Sequence, residues 1–484
     1  MFTLADVLIG ATENNITGAI PPQLADIVFG GAAIDSRLVQ PGELFVALRG
    51  EQHDGHRYVD AAFNRGAKAA LVRRDALDRL SPDPTRAVIV LDPTKLPTVA
   101  TIEANTALLI PTDEPLSALH RIARSHRTKF QPLLIGISGS VGKTSTKEAV
   151  AAVLQQHFNT LKTPRSYNSE STMPLTILQL GPEHEAAVIE MGTYGPGEIA
   201  LLASIAKPQI GIVTNVGPSH MERMGSIEAI ALAEGEVIDA LPPDGVAILN
   251  YDDDLVRPMS ARTQARPFYF GLNPDADLWA DLIESHGFDG ITLRAHYQGE
   301  AVDLEVPLMG KHHAYTALAA SAAGLILGLS WAEIAAGLKN CGERLRFISV
   351  AGPGGSTILD DTYNASPVSV VAALDLLAEF DGRHIAVFGD MYELGPVEEE
   401  AHRIVGRHVA RTAELLYVVG ERVHWIAEEV RASGRDIEIH QAPDKPALVN
   451  MLAPVLRQGD YVLIKGARGM EMETVVAGLT NYQP

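Results

Sequence analysis

The chain has 484 residues, 46% of them hydrophobic and 20% charged, so it should form two to four domains with cores of their own and is too apolar to be disordered. Its formal net charge of −21 excludes a sequence-independent grip on nucleic acid, which needs clustered Lys and Arg, yet leaves room for a local phosphate site. A single cysteine, Cys341, excludes an intramolecular disulfide and a cysteine-rich metal centre, and reads as a small buried hydrophobe in a reducing compartment.

The N-terminal stretch MFTLADVLIGATENN has no basic n-region and no long apolar h-region, so no secretory signal is expected there. No uninterrupted apolar run reaches about 18 residues, the length of a membrane span. The expected location is the cytoplasm.

Up to about residue 105 short strands and helices alternate. ELFVAL (43–48) and AALVRR (69–74) predict strands, with YVDAAFNRGA (58–67) as the helix between them. The Pro-bounded stretch 111–132 predicts a helix leading into a second domain. From 133 each short apolar run is followed by an amphipathic helix. The strands are LLIGIS (133–138), AAVIEMG (186–192), IGIVTNVG (210–217) and GVAILN (245–250), with helices at 197–206 and 226–241. Such runs are buried parallel strands of a doubly wound sheet, whose ligands sit beyond the carboxyl ends of the strands. Two helices at 313–338 close this domain. A third α/β unit follows, with strands at 356–361, 384–390, 415–420 and 460–466.

The segment LLIGISGSVGKTSTKEAV (133–150) carries the clearest chemistry. Gly139 and Gly142 permit a backbone that turns successive N–H groups on one anion, and the next helix adds its N-terminal dipole. Lys143 can reach terminal phosphates and the Thr144 hydroxyl can ligate magnesium. Ile137 stands where a full Walker A has its first glycine, so this is the shorter G-S-x-G-K-T form, a nucleoside-triphosphate site. Glu190 ends the next strand, well placed for magnesium. A solvated strand-end carboxylate is the plainer alternative. His220 lies on a loop at the same sheet edge.

Together these elements resemble the Mur ligase family, ATP-dependent amide-forming enzymes of peptidoglycan synthesis, over nearly the whole chain. The matching segments are residues 35–72, from DSR through DGH to AALV, then GSVGKTSTKE, TPRSYNSESTMPLTIL, IEMGTYGPGEI and TNVGPSHMERMGSIEAIA. ILDDTYNASPVSVVAALDLL, FGDMYELGPVEEEAH and VLIKGARGMEME follow in the third unit. The wording is most similar to the members that add D-alanyl-D-alanine to UDP-N-acetylmuramoyl-tripeptide.

The resemblance implies an α/β protein of three domains. Residues 1–110 would bind the UDP-sugar, and 111–345 would form the ATP-binding domain around a central doubly wound, mostly parallel sheet carrying the phosphate loop. Residues 346–484 would form a Rossmann-like, dipeptide-binding C-terminal domain. It implies ATP and Mg2+, an acyl-phosphate intermediate, and a cytoplasmic monomer acting on small molecules.

The implied nucleotide contacts are Gly139, Ser140, Val141, Gly142, Lys143, Thr144 and Ser145, joined by Arg344 and Asp361. The implied magnesium ligands are Thr144, Glu190, His220 and Glu234, of which the last three share the catalytic role with Lys143. Ser36, Arg37, Asp54, Gly55, His56, Asn168 and Ser169 would meet the UDP substrate. Asn364, Lys465 and Arg468 would lie near the dipeptide or the cleft.

Four positions depart from the family pattern. Glu234 stands where the family usually has a lysine, carbamylated to present a carboxylate to magnesium. Glutamate carries the charge on a stem roughly 3–4 Å shorter, at ~1.5 Å per bond. It could act through a bridging water or a backbone shift, or be a glutamate on the helix surface. Ser169 and Thr172 replace Asn and Gly in a substrate-facing loop. His313 and Thr316 replace two asparagines near the nucleotide, and Val141 replaces Asn in the phosphate loop. Two rival readings follow: a related ligase for another acceptor or amine, or a nucleotide-binding regulatory protein with weak catalysis. A plain P-loop kinase leaves the terminal motifs unexplained.

Overall fold

The computed structural model describes residues 1–12, 20, 22–25, 27–50, 53–80, 83–96, 106–341 and 348–482. The chain divides into two compact units: residues 1–136, 158–192 and 198–210, and residues 137–157, 193–197 and 211–484.

The first unit holds a five-stranded sheet ordered Ala32–Ala33, Leu44–Val46, Ala69–Arg73, Ala107–Thr112, Val88–Val90, parallel throughout. Helix Val59–Asn64 covers it, burying Val59, Ala62 and Phe63 against Phe45, Ala70 and Val72. Both predicted strands and the helix between them form, one to three residues shorter at the ends. Strand Ala107–Thr112 was not expected: Pro111 suggested a boundary, but the strand keeps it near its end, opposite Val72. Helix Pro115–Thr128 starts on a proline, whose fixed φ suits a first turn and whose missing N–H costs nothing there. Parallel strands Thr160–Lys162 and Ala186–Glu190 complete the unit with helix Glu198–Ala206.

In the second unit the end of strand Leu133–Ser138 runs through the glycine loop into helix Lys143–Leu154. Strand Val246–Asn250 pairs in parallel with Arg266–Gly271, which pairs in parallel with the start of Leu278–Ser285. An antiparallel extension follows through Ile291–Tyr297 and Glu300–Val306. That extension had no counterpart in the expected elements, since its half-exposed strands lack the buried apolar runs that marked the others. Helices His313–Ile326 and Trp331–Lys339 form as expected, the second held by a Ser330–Glu333 capping box.

The single helix expected over 226–241 is broken into Ile227–Glu234 and Glu236–Asp239. The break has a cause in packing. Arg262 donates to the carbonyls of Ala231 (3.2 Å) and Leu232 (3.0 Å), and a Cβ at Gly235 would lie 2.2 Å from its Nη1.

The remaining sheet of this unit is ordered Ile348–Ala351, Thr357–Asp360, Asp460–Lys465, Arg383–Gly389, Leu415–Val419, Glu438–Ala442. All its pairs are parallel except the first. Apolar cores cover both faces, one built on Leu374, Leu377 and Val405, the other on Leu448, Leu452 and Val475. Because Thr357–Asp360 and Asp460–Lys465 are neighbours, their carboxyl ends set Asp361 and Lys465 side by side, at the edge where α/β sheets bind ligands. The α/β class expected from the sequence is thus the class observed.

Candidate active site

Two glycines shape the phosphate loop for different reasons. Gly142 has φ +84 with open space around it, so the left-handed backbone alone demands glycine. Gly139 has φ +128, and a Cβ there would lie 2.1 Å from Thr214 Oγ1. The loop is tied to the segment after strand Ile210–Val213. Ser140 N–H donates to Asn215 O (2.9 Å), Val141 N–H to Asn215 Oδ1 (3.0 Å), and Thr214 Oγ1 to Val141 O (2.7 Å). Asn215 and Thr214 are site residues that the sequence reading passed over, although both stand in the TNVG motif it quoted. Lys143 bends back, its ammonium donating to Gly139 O.

A cavity of about 940 Å3 opens at this loop. Val141, Gly142, Ser145 and Thr146 line it near the helix start, and Asp361 and Lys465 from the C-terminal sheet. Leu255, Phe270, Pro307, Leu308 and Met309 give it an apolar wall. Its size and mixed lining are those of a small-molecule site. Lys465 donates to Asp361 Oδ2 (2.6 Å) and Asn364 O (2.7 Å), so the lysine expected near the dipeptide or cleft is fixed in the same cavity as Asp361. Burial pushes the Asp361 carboxyl above the usual carboxylate range, and the Lys465 ammonium opposes it. Arg468 donates its N–H to Asn364 Oδ1 (3.2 Å), while its guanidinium pairs with Glu473 and lies over Tyr363.

His312 and His313 also face the cavity, their rings 4.3 Å apart. Surrounding protein, and then the Lys465 ammonium, lower the His312 imidazole to about 4. His312 is nonetheless an exposed residue whose ring lines the cavity. The two departures His313 and Thr316 are partners, Nδ1 to Oγ1 at 3.3 Å.

His220 takes a left-handed backbone, φ +54, at the start of helix Met221–Met224. Its Nδ1 is paired with Glu393 from the DMYELG motif, and Tyr194 meets its ring edge-on at 4.6 Å. Desolvation lowers its pKa against the pull of Glu393. Glu222 N–H donates to Glu393 O (3.2 Å), a second tie between these two loops.

Glu234 is 2% exposed, which removes the helix-surface alternative. Its Oε2 accepts the Gly139 N–H at 2.6 Å and its backbone carbonyl accepts Ser138 Oγ at 2.7 Å. Burial raises its pKa, while Lys143 and the Gly139 N–H lower it. Arg344 lies outside the described residues. Among the described residues no group of three or more His, Cys, Asp and Glu side chains is arranged to hold a metal ion.

In the first unit, Glu190 is buried at its strand end, donating its N–H to Thr163 Oγ1 (3.0 Å) and accepting from Asn168 Nδ2 (2.7 Å). The departures Ser169 and Thr172 share a hydroxyl hydrogen bond of 2.9 Å. Around DSR, Ser36 is buried and Arg37 is mostly exposed, paired with Asp35 at 2.7 Å. In DGH, His56 Nε2 accepts the Arg73 N–H (2.9 Å), which leaves the proton on Nδ1 to donate to Asp54 (2.6 Å). Both ring nitrogens of His56 are thereby engaged within the protein, and the ring orients Asp54. Gly55 is required because a Cβ would lie 2.6 Å from Leu48 O.

Residues 137–324 match the Mur ligase middle domain, residues 343–468 the Mur ligase glutamate ligase domain, and residues 29–127 the Mur ligase family catalytic domain. The UDP-N-acetylmuramoyl-tripeptide–D-alanyl-D-alanine ligase of Bacillus subtilis is 33% identical over 464 residues, 95% of this chain and 94% of that protein. Among solved structures, MurF from Acinetobacter baumannii superimposes with a TM-score of 0.80 at 27% identity, covering 99% of each chain. MurF ligase from Thermotoga maritima in complex with ADP gives 0.74 at 25% identity, covering 94% of this chain and 98% of that one.

Proposed function

The chain belongs to the Mur ligase family, and from that premise we propose that it uses ATP to join D-alanyl-D-alanine to UDP-N-acetylmuramoyl-tripeptide. The observation that carries this reading is the single cavity reaching from the glycine loop to Asp361 and Lys465, with an apolar wall for a base.

In this reading the triphosphate lies at the start of helix Lys143–Leu154, where the open left-handed turn at Gly142 lets oxygens approach the backbone. Lys143 leaves Gly139 O for the β- and γ-phosphates. An oxygen of the tripeptide's terminal carboxylate attacks the γ-phosphorus, the bond to the β-phosphate oxygen breaks, and ADP leaves. The dipeptide amine then attacks the acyl carbon, loses a proton, and expels phosphate carrying that oxygen. The chemistry needs positioning and charge neutralisation, which Lys143, Lys465 and the helix dipole supply. Closure of the cavity by Asp361 and Lys465 keeps water from the acyl phosphate.

Magnesium prefers oxygen ligands and takes many of them from phosphate and water. The Thr144 hydroxyl in the first helical turn and the Glu190 carboxylate are donors of that kind, and His220 is assigned with them. Bound on the nucleotide, the ion would supply further neutralisation of the transferring phosphoryl group. We set Glu234 apart from this set, because its Oε2 already holds the Gly139 N–H and the residue is not part of the cavity wall.

We assign Ser36, Arg37, Asp54, Asn168 and Ser169 to the UDP substrate, with Gly55 and His56 shaping the turn. The three-domain division at 110 and 345, a cytoplasmic location and a monomeric state belong to the same reading. Among the described residues no helix is long and apolar enough to cross a membrane. The test is phosphate release from ATP with each substrate omitted in turn. Release that needs both supports the reading, and ATP binding without turnover on any stem peptide overturns it.

A further inference from the structure

The Gly139 peptide is gripped at both ends. Below it the Glu234 carboxylate takes the N–H at 2.6 Å, and above it the Lys143 ammonium takes the carbonyl. Glu234 is itself rigidly mounted. Its backbone carbonyl accepts the Ser138 hydroxyl at 2.7 Å, fixing the residue before the loop. The end of its helix is clamped by Arg262, which is held in turn by Asp239 at 2.5 and 2.8 Å. Gly235 leaves the room that this guanidinium fills. The cavity meets the loop at Val141 and Gly142, and Glu234 is not part of its wall.

We propose that Glu234 is a positioning residue, which fixes Gly139 from beneath the phosphate loop, and that it is not a ligand of the catalytic magnesium. A buried carboxylate bound to an N–H makes a strong, charge-assisted hydrogen bond. Magnesium would require one of its oxygens at about 2.0–2.1 Å in near-octahedral geometry. An unmodified lysine at this position would offer no acceptor to Gly139 and would set a second ammonium beside Lys143, whereas a carbamylated one would again present a carboxylate. Nucleotide binding becomes an exchange: Lys143 gives up Gly139 O for phosphate while Glu234 holds the peptide in place.

This inference rests on the loop being the ATP site, and the test separates the two. The full-length protein and its Glu234→Gln and Glu234→Ala variants are titrated with ADP by calorimetry in EDTA. The magnesium concentration for half-maximal turnover is measured in parallel. Glutamine keeps an acceptor for the Gly139 N–H, so metal-free ADP affinity should stay within about threefold and the magnesium requirement within about twofold, less than the worth of one hydrogen bond. Alanine removes the acceptor and should weaken metal-free ADP binding about tenfold or more, the loss of a hydrogen bond to a charged group. The split between Gln and Ala is the signature of positioning. A rise of about tenfold or more in the magnesium requirement of Glu234→Gln, with metal-free ADP binding unchanged, would overturn it, since a loss of that size belongs to a residue acting on the metal rather than on the loop. The Gln variant carries this decision even if the Ala variant fails to fold. Failure of the wild type to bind ADP at all would overturn the nucleotide reading, and this inference with it.

Discussion

Replacing the two loop glycines by alanine should have very different consequences, although both have positive φ. At Gly142 the added Cβ meets nothing within 4 Å, so only the left-handed backbone is penalised, by about 1–2 kcal/mol. Alanine returns about 0.4–1 kcal/mol by restricting the unfolded chain. At Gly139 the Cβ falls 2.1 Å from Thr214 Oγ1, 3.0 Å from Thr214 N and 3.1 Å from Asn215 N. The hydroxyl can rotate away only by giving up its 2.7 Å bond to Val141 O, worth about 1 kcal/mol. The two backbone nitrogens cannot rotate, and overpacking of this kind adds about 1–3 kcal/mol. With the backbone cost included, Gly139→Ala should lose about 3–6 kcal/mol before the entropic return, against about 1–2 kcal/mol for Gly142→Ala on the same footing. The measurement must exclude nucleotide, because the open space beside Gly142 is where phosphate would come. Native-state hydrogen exchange of segment 137–154 in the free protein reads the effect directly. After the entropic return, Gly139→Ala should raise exchange by about thirtyfold or more and Gly142→Ala by about tenfold or less, at 1.4 kcal/mol per factor of ten. Adding Thr214→Ala to Gly139→Ala should recover part of the loss. Equal effects at the two glycines, with no recovery, would refute the packing explanation.

Lys143→Ala should fold normally and lose about 10²–10³ in kcat, the usual cost of removing one charge-stabilising group from a reaction site. Phosphate release under saturating substrates checks it. His312 has a folded pKa of about 4 against an ordinary value of 6.5, so between those values the unfolded chain binds more protons. Stability should therefore rise with pH across that window and lose its His312 dependence above it, and Glu or Asp titrations do not mask the difference between wild type and His312→Gln in urea unfolding. Arg383→Ala should cost about 1.5–3 kcal/mol, because it removes charge-assisted bonds of 2.6 and 2.9 Å to the 1% exposed Asp460 carboxylate, which keeps the Arg457 N–H at 2.9 Å. Shifted urea midpoints report this loss.

The elements that the sequence made legible are those with one dominant signal. Strand Leu133–Ser138 and helix Lys143–Leu154 follow from an apolar run ending in glycines, and strands Asp460–Lys465 and Leu415–Val419 from buried apolar runs. The antiparallel strands between 278 and 306 escaped because one face is exposed and their pairing is set by partners rather than by pattern. The break at Gly235 was invisible because its cause, Arg262, lies 27 positions along the chain (262 − 235).

The site divides in the same way. Gly139, Gly142 and Lys143 announce themselves by spacing, whereas Asn215, Glu393 and His312 join the site only through folding. The departures from the family wording are instructive too. Ser169 bonds Thr172, and His313 bonds Thr316, so each pair of substitutions keeps a local contact that neither residue could make alone. For Glu234 the telling feature is geometric, since the 2.6 Å bond from the Gly139 N–H to its Oε2 cannot be read from residue type.

The central claim, that the phosphate loop presents the γ-phosphate of ATP to the carboxylate of the peptide stem, is tested most directly by oxygen transfer. UDP-N-acetylmuramoyl-tripeptide labelled with 18O in its terminal carboxylate is turned over with ATP and D-alanyl-D-alanine, and the released phosphate is weighed by mass spectrometry. The account predicts one 18O atom in each phosphate and a pentapeptide product retaining the other. Phosphate free of label, with both atoms left on the peptide or lost to water, would contradict it.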